Sequence, residues 1–247
     1  MNGQRNISLV LEYDGTNYHG WQCQPSAITL QEVVQRSVER ILDHPVKIYA
    51  AGRTDTGVHA FGQVINFFTE KSIDIRSIAK GVNSLLPGDV RVKDAREVDE
   101  SFHARYSAKS KSYIYCIVNA RHHSPFHVRY SWHIPYTLNA RLMNESIKEI
   151  VGVHDFSSFK KKNEMYKRHE REVLRAGVRR RGRFIYIFIE ATGFLRYMVR
   201  NIVGTLVLVG EGRNSKEDFI AVLQSKDRIN AGPTAPPQGL FLRKIRY

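Results

Sequence analysis

Cysteine is nearly absent: Cys23 and Cys116 are the only two thiols in 247 residues. Two cysteines build no disulfide framework and no Cys-x-x-Cys pair, so the expected compartment is the reducing cytoplasm. Long apolar runs are missing as well. A spanning helix needs about 20 apolar residues, and the best stretch, Phe194 to Val209, is interrupted by Arg196, Arg200 and Asn201. No membrane association is expected. The opening Met1-Asn2-Gly3-Gln4-Arg5 runs straight into strand-like sequence, without the apolar stretch of a secretory signal. No Gly-x-Gly-x-x-Gly follows a strand and no phosphate-loop signature occurs, so no nucleotide cofactor is expected. His103, His122, His123, His127 and His133 match no zinc spacing, which leaves no expected metal.

Acidic residues are scarce, and unevenly so. The chain holds 38 Lys plus Arg against 24 Asp plus Glu, a net charge of +14. Residues 1–100 carry 11 basic and 13 acidic side chains, net −2, whereas residues 101–247 carry 27 and 11, net +16. A polyanionic partner is implied, and the second part is where it would bind. The hydrophobic share of 42% excludes disorder, and the length suits one large domain or two small ones.

Periodicity predicts an α+β chain. Strands are expected at Ile7–Tyr13, Val46–Ala50, Gln63–Thr69, Val90–Val98, Ser112–Val118, Glu172–Val178, Phe184–Ile189 and Phe241–Tyr247. Helices are expected from a capping box at Thr29-Leu30-Gln31-Glu32 to Leu42, and over Asp74–Leu85, Leu138–Val151, Leu195–Val209 and Ser215–Leu223. Two successive blocks of this kind suggest α+β sheets with helices on one face, and the composition shift near residue 100 is the candidate boundary.

Gly52-Arg53-Thr54-Asp55-Thr56-Gly57 packs a cation, a carboxylate, two hydroxyls and two glycines between β-like stretches. One reading is an ordinary β–β connection in which Asp55 bonds its own turn. The other is a rigid loop that presents Asp55 as nucleophile or base, with Arg53 against a phosphate. An aspartic protease needs two such carboxylates, from two Asp-Thr-Gly copies or from a small homodimer; no second copy exists, and a dimer of 247-residue chains at net +14 matches that architecture poorly. His59 reads as a packing or hydrogen-bonding residue. Between Lys160 and Arg183, eleven basic residues face three acidic ones, with Phe159, Tyr166, His169, Phe184 and Tyr186 within or beside the run. Most charge runs are solvated faces. Cations interleaved with aromatics instead favour RNA contact, by Lys160, Lys161, Lys162, Lys167, Arg168, Arg171, Arg179 and Arg181.

Glu12–Gln22 (EYDGTNYHGWQ), Ala51–Ala60 (AGRTDTGVHA), Ser101–Arg105, Lys111–Tyr115, Gly152–Phe159, Phe194–Gly204 and Ala235–Leu242 together resemble the tRNA pseudouridine synthase A (TruA) family, in order over essentially the whole chain. The resemblance implies a cofactor-free isomerase of uridines 38, 39 and 40 in the tRNA anticodon stem-loop. It further implies a homodimer of chains with two similar domains, 1–104 and 105–247, each an antiparallel or mixed sheet with helices packed on one face, and the active-site cleft between them. It makes Asp55 the essential carboxylate, Arg53 a phosphate-holding or space-filling arginine, Tyr113 the stacking tyrosine, Arg200 the partner of the carboxylate and Leu240 an apolar wall. A catalytically inactive basic RNA-binding protein of the same fold is the alternative.

Overall fold

The computed structural model describes residues 3–164 and 168–247. The chain forms two compact units, Met1–Lys109 with Leu242–Tyr247, and Ser110–Phe241. The expected single division at 104/105 thus becomes one at Lys109/Ser110 and a second inside the last strand, which returns the chain to the first unit.

In the first unit, β1 (Arg5–Tyr13) lies between β3 (His59–Thr69) and β4 (Val90–Val98), antiparallel to both, and the short β2 (Tyr49–Ala50) pairs with β3. Ile7, Leu9 and Leu11 alternate along β1 and are fully buried, as period-two patterning requires. The helices are α1 (Leu30–Leu42) and α2 (Ile75–Leu85). Leu30, Val34, Val38 and Leu42 form the fully buried stripe of α1. Asp74 caps α2 by accepting from the Ser77 N–H at 3.1 Å.

The expected capping box of α1 does not form. Thr29 makes no side-chain cap bond and its hydroxyl is buried without a partner. Backbone replaces it: the Leu30 and Gln31 N–H groups donate to the carbonyls of Gly20 and Trp21 at 3.1 and 3.0 Å. The helix start is therefore docked on the 20–21 segment rather than closed by its own side chains.

The second unit is built on β5 (Ser110–Asn119), β6 (Trp132–Ile134), β7 (Gly152–Asp155), β8 (Glu170–Arg181) and β9 (Phe184–Ala191), in the order β5-β9-β8-β7 with β6 parallel to β5. Its helices are α3 (Ala140–Ile147), α4 (Met198–Gly210) and α5 (Lys216–Ser225), and β10 (Leu240–Arg246) closes the chain. Helix α3 is shorter than the expected Leu138–Val151 because Asn139 caps it and a 3-10 turn takes over at Lys148. Helix α4 begins at Met198, not Leu195, because Tyr197 is left-handed with φ 66°. Ser215 caps α5 as expected, in a full capping box with Asp218. Among the described residues no helix is long and apolar enough to cross a membrane, and no cluster of His, Cys, Asp or Glu could hold a metal ion.

Candidate active site

Asp55 sits between β2 and β3 on a loop fastened along its length. Its predecessor Thr54 accepts the Trp21 N–H on its carbonyl at 3.0 Å, and the Thr54 hydroxyl lies 2.9 Å from that of Tyr13. Gln63 donates to the Gly52 carbonyl at 2.6 Å. Beyond Asp55 the chain turns: the Val58 N–H donates to the Asp55 carbonyl at 3.1 Å, with Gly57 at φ 74°. The result is a buried Thr54 flanked by an exposed Arg53 and a partly exposed Asp55. An acid and a guanidinium are thus presented on rigid backbone, the arrangement that nucleophilic or general-base chemistry requires.

The 12–22 segment is the bed of this loop. At Gly15 a Cβ would lie 2.1 Å from the Val58 carbonyl oxygen, and at Gly20, with φ 86°, one would lie 2.7 Å from that of Thr54. Only glycine permits both approaches. His59 is buried, and its Nδ1 accepts the Gly15 N–H at 3.0 Å, in keeping with the packing role expected from sequence. Tyr13 and Trp21 pack with ring centroids 6.2 Å apart beneath.

In the second unit, Tyr113 on β5 is 8% exposed and meets Phe194 edge-on at 4.9 Å. Arg200 is one of two residues of α4 that are not buried. Its guanidinium lies 4.9 Å from the centroid of the Tyr197 ring, and its Nε–H donates to the Ala235 carbonyl at 2.7 Å. The neighbouring Tyr115 hydroxyl donates to the Pro236 carbonyl at 2.7 Å. Burial pushes the pKa of that phenol well up, partly offset by the positive Arg200. Leu240 is buried at the start of β10.

The expected RNA-contact residues do not form one surface. Lys160 is half-buried and tied internally, its Nζ donating to the Glu164 carbonyl at 3.0 Å. Lys161 places Nζ 5.8 Å from the Tyr197 ring centroid, the ring that Arg200 also approaches, and Lys162 is exposed. Arg171 donates to the carbonyls of Arg168 and Glu170. Arg168 is exposed, while Tyr166 and Lys167 lie outside the described residues. Strand register separates the rest. Tyr113 pairs with Ile189, whereas Arg179 and Arg181 pair with Tyr186 and Phe184. Because side chains alternate, Arg179 and Arg181 project from the sheet face opposite to Tyr113.

Sequence reasoning missed Tyr13, Gln63, Trp21 and the paired glycines as supports of the Asp55 loop. Their only signal was the density of Gly and aromatic residues over 12–22.

The family model described as tRNA pseudouridine synthase matches residues 9–107 and 147–247. The chain is 47% identical to a protein named tRNA pseudouridine synthase A of Thermoanaerobacter sp. (strain X514), over 98% of this chain and all of that one. Proteins of the same name from Geotalea daltonii and Geobacter sulfurreducens are 43% and 42% identical, with the same coverage.

Proposed function

This chain belongs to the tRNA pseudouridine synthase family and is an isomerase of tRNA uridine, and on that premise we propose that it acts at positions 38, 39 and 40 of the anticodon stem-loop with Asp55 as the reacting carboxylate. In this reaction the bond between N1 and C1′ breaks, the uracil turns, and a bond between C5 and C1′ forms. The proton leaving C5 is matched by one gained at N1, so nothing is consumed. Attack on the sugar, addition to the ring and removal of the C2′ proton all call for an ionised carboxylate with a fixed reach.

The observation that carries the reading is the fastened loop that holds Thr54 inward and leaves Arg53 and Asp55 accessible. Arg53 offers a planar fork suited to phosphate, which a lysine would not reproduce. The family resemblance assigns Tyr113 the stacking role for the base, Arg200 the positive partner of the carboxylate and Leu240 an apolar wall, and their chemistry suits these roles: a π-face, a fixed positive charge and a water-excluding side chain. The target base must leave its stack at a cost of a few kcal/mol, and contacts from basic residues of the second unit recover that cost. The enzyme works as a cytoplasmic homodimer, as the family resemblance implies.

The test is to incubate the purified chain with an unmodified tRNA transcript, without cofactor, and to map pseudouridine by nucleotide. Product at 38–40 with the native chain and none with Asp55→Asn is expected. Product elsewhere in the tRNA would overturn the positional assignment, and turnover by Asp55→Asn would overturn the role of Asp55. A native chain that binds tRNA but makes no product would mark the inactive binding protein.

A further inference from the structure

Gly52 and Thr54 flank Arg53, and both are anchored from beneath by buried polar side chains of sheet strands. Gln63 on β3 is fully buried and donates Nε2–H to the Gly52 carbonyl at 2.6 Å. Tyr13, the last residue of β1, is 3% exposed and sets its hydroxyl 2.9 Å from Thr54 Oγ1. Burial raises the Tyr13 pKa well above the ordinary phenol value, so this hydroxyl stays protonated over the whole working range.

These are costly choices for a core. Gln63 Oε1 is buried without a hydrogen-bond partner, a penalty that leucine or methionine would avoid. What the polar groups achieve is local. They turn residues 52 and 54 inward, so that residues 53 and 55 face outward with little freedom. We propose that Tyr13 and Gln63 are positioning residues that fix the reach of Asp55 through Thr54 and Gly52. The inference rests on Asp55 being the reacting carboxylate. Neither residue is required to touch the substrate.

Misplacing a reacting group by about 1 Å costs on the order of 100-fold in rate, whereas binding of the tRNA body is indifferent to it. Tyr13→Phe is therefore expected to lower kcat by about 10-fold or more while KM for tRNA moves by less than about 2-fold. Thr54→Val, which keeps shape and loses the hydroxyl, should match it, and Thr54→Ser should restore most of the rate. The double variant Tyr13→Phe/Thr54→Val should be no slower than Tyr13→Phe alone, because Thr54→Val removes a contact that Tyr13→Phe has already removed. Gln63→Leu should show the same split between kcat and KM.

Full kcat in a folded Tyr13→Phe or Thr54→Val chain would overturn the proposal. So would a loss that tracks a fall in thermal midpoint and is not rescued by Thr54→Ser, which would make the contact purely structural. If Tyr13→Phe fails to fold, the Thr54 pair decides alone. Asp55→Asn run alongside separates the two claims: turnover there defeats the Asp55 assignment, while an inactive Asp55→Asn beside a full-rate Tyr13→Phe defeats the positioning role only.

Discussion

Arg200 and Ala235 hold each other reciprocally: the Arg200 Nε–H donates to the Ala235 carbonyl at 2.7 Å, and the Ala235 N–H donates to the Arg200 carbonyl at 3.1 Å. One residue thereby fixes both its own guanidinium and the segment leading toward Leu240. Lysine would keep the charge but has no Nε–H and no plane to lie beside the Tyr197 ring. A hydrogen bond to a charged group is worth about 1.5–3 kcal/mol. Steady-state assays of Arg200→Lys should accordingly show kcat lower by about 10-fold or more, since each 1.36 kcal/mol is a factor of about ten. Wild-type kcat in that variant would reduce Arg200 to a point charge.

Much of this arrangement is legible from residues alone, and the exceptions share a cause. The α1 stripe Leu30, Val34, Val38, Leu42 and the strand alternation of Ile7, Leu9, Leu11 are local periodicities, and the structure follows them. The Thr29 capping box also looks local, yet it does not form, and the helix start is held instead by the carbonyls of Gly20 and Trp21, which take the Leu30 and Gln31 N–H groups. That docking depends on tertiary placement, which a four-residue pattern does not encode. The Asp55 loop announces itself by composition. Its supports do not, because Tyr13 and Gln63 read as ordinary strand residues until β1 and β3 are placed side by side. The split of the basic residues follows the same logic: Arg179 and Arg181 belong to one charge run with Lys161 and Lys162, but strand register, not sequence proximity, decides which face they occupy.

His103 is expected to give the first unit a pH-dependent stability. Its Nδ1 accepts the Arg105 N–H at 3.0 Å, and its ring packs between Tyr49 and Tyr106 at 4.8 and 4.4 Å. Burial, with a smaller contribution from the charge of Arg105, lowers its pKa from the ordinary 6.5. The unfolded chain then takes up the proton first. The contribution of the neutral ring is fully present above pH 6.5 and fades as pH falls from there toward the lowered folded value. Urea midpoints measured at pH 7.5, 6.5 and 5.5 should fall more steeply for the native chain than for His103→Asn. Parallel curves would show that His103 carries none of the dependence.

The lysine run tests where the tRNA backbone lies. Lys160 is spent on the Glu164 carbonyl, so its charge is held within the loop, whereas Lys161 beside Tyr197 and the exposed Lys162 remain available to phosphate. Removing one cation that neutralises a phosphate flattens the log–log salt dependence of binding by about 0.7–0.9. Lys161→Gln/Lys162→Gln should flatten it by up to about 1.4–1.8 when both residues bind phosphate, and Lys160→Gln by much less. The pair Arg179→Gln/Arg181→Gln supplies the contrast, because these residues leave the sheet on the side away from Tyr113. On an isolated anticodon stem-loop seated against Tyr113, Lys161 and Lys162 should matter and the two arginines should not. Equal slopes for all variants on that short RNA would mean that neither face tracks its backbone.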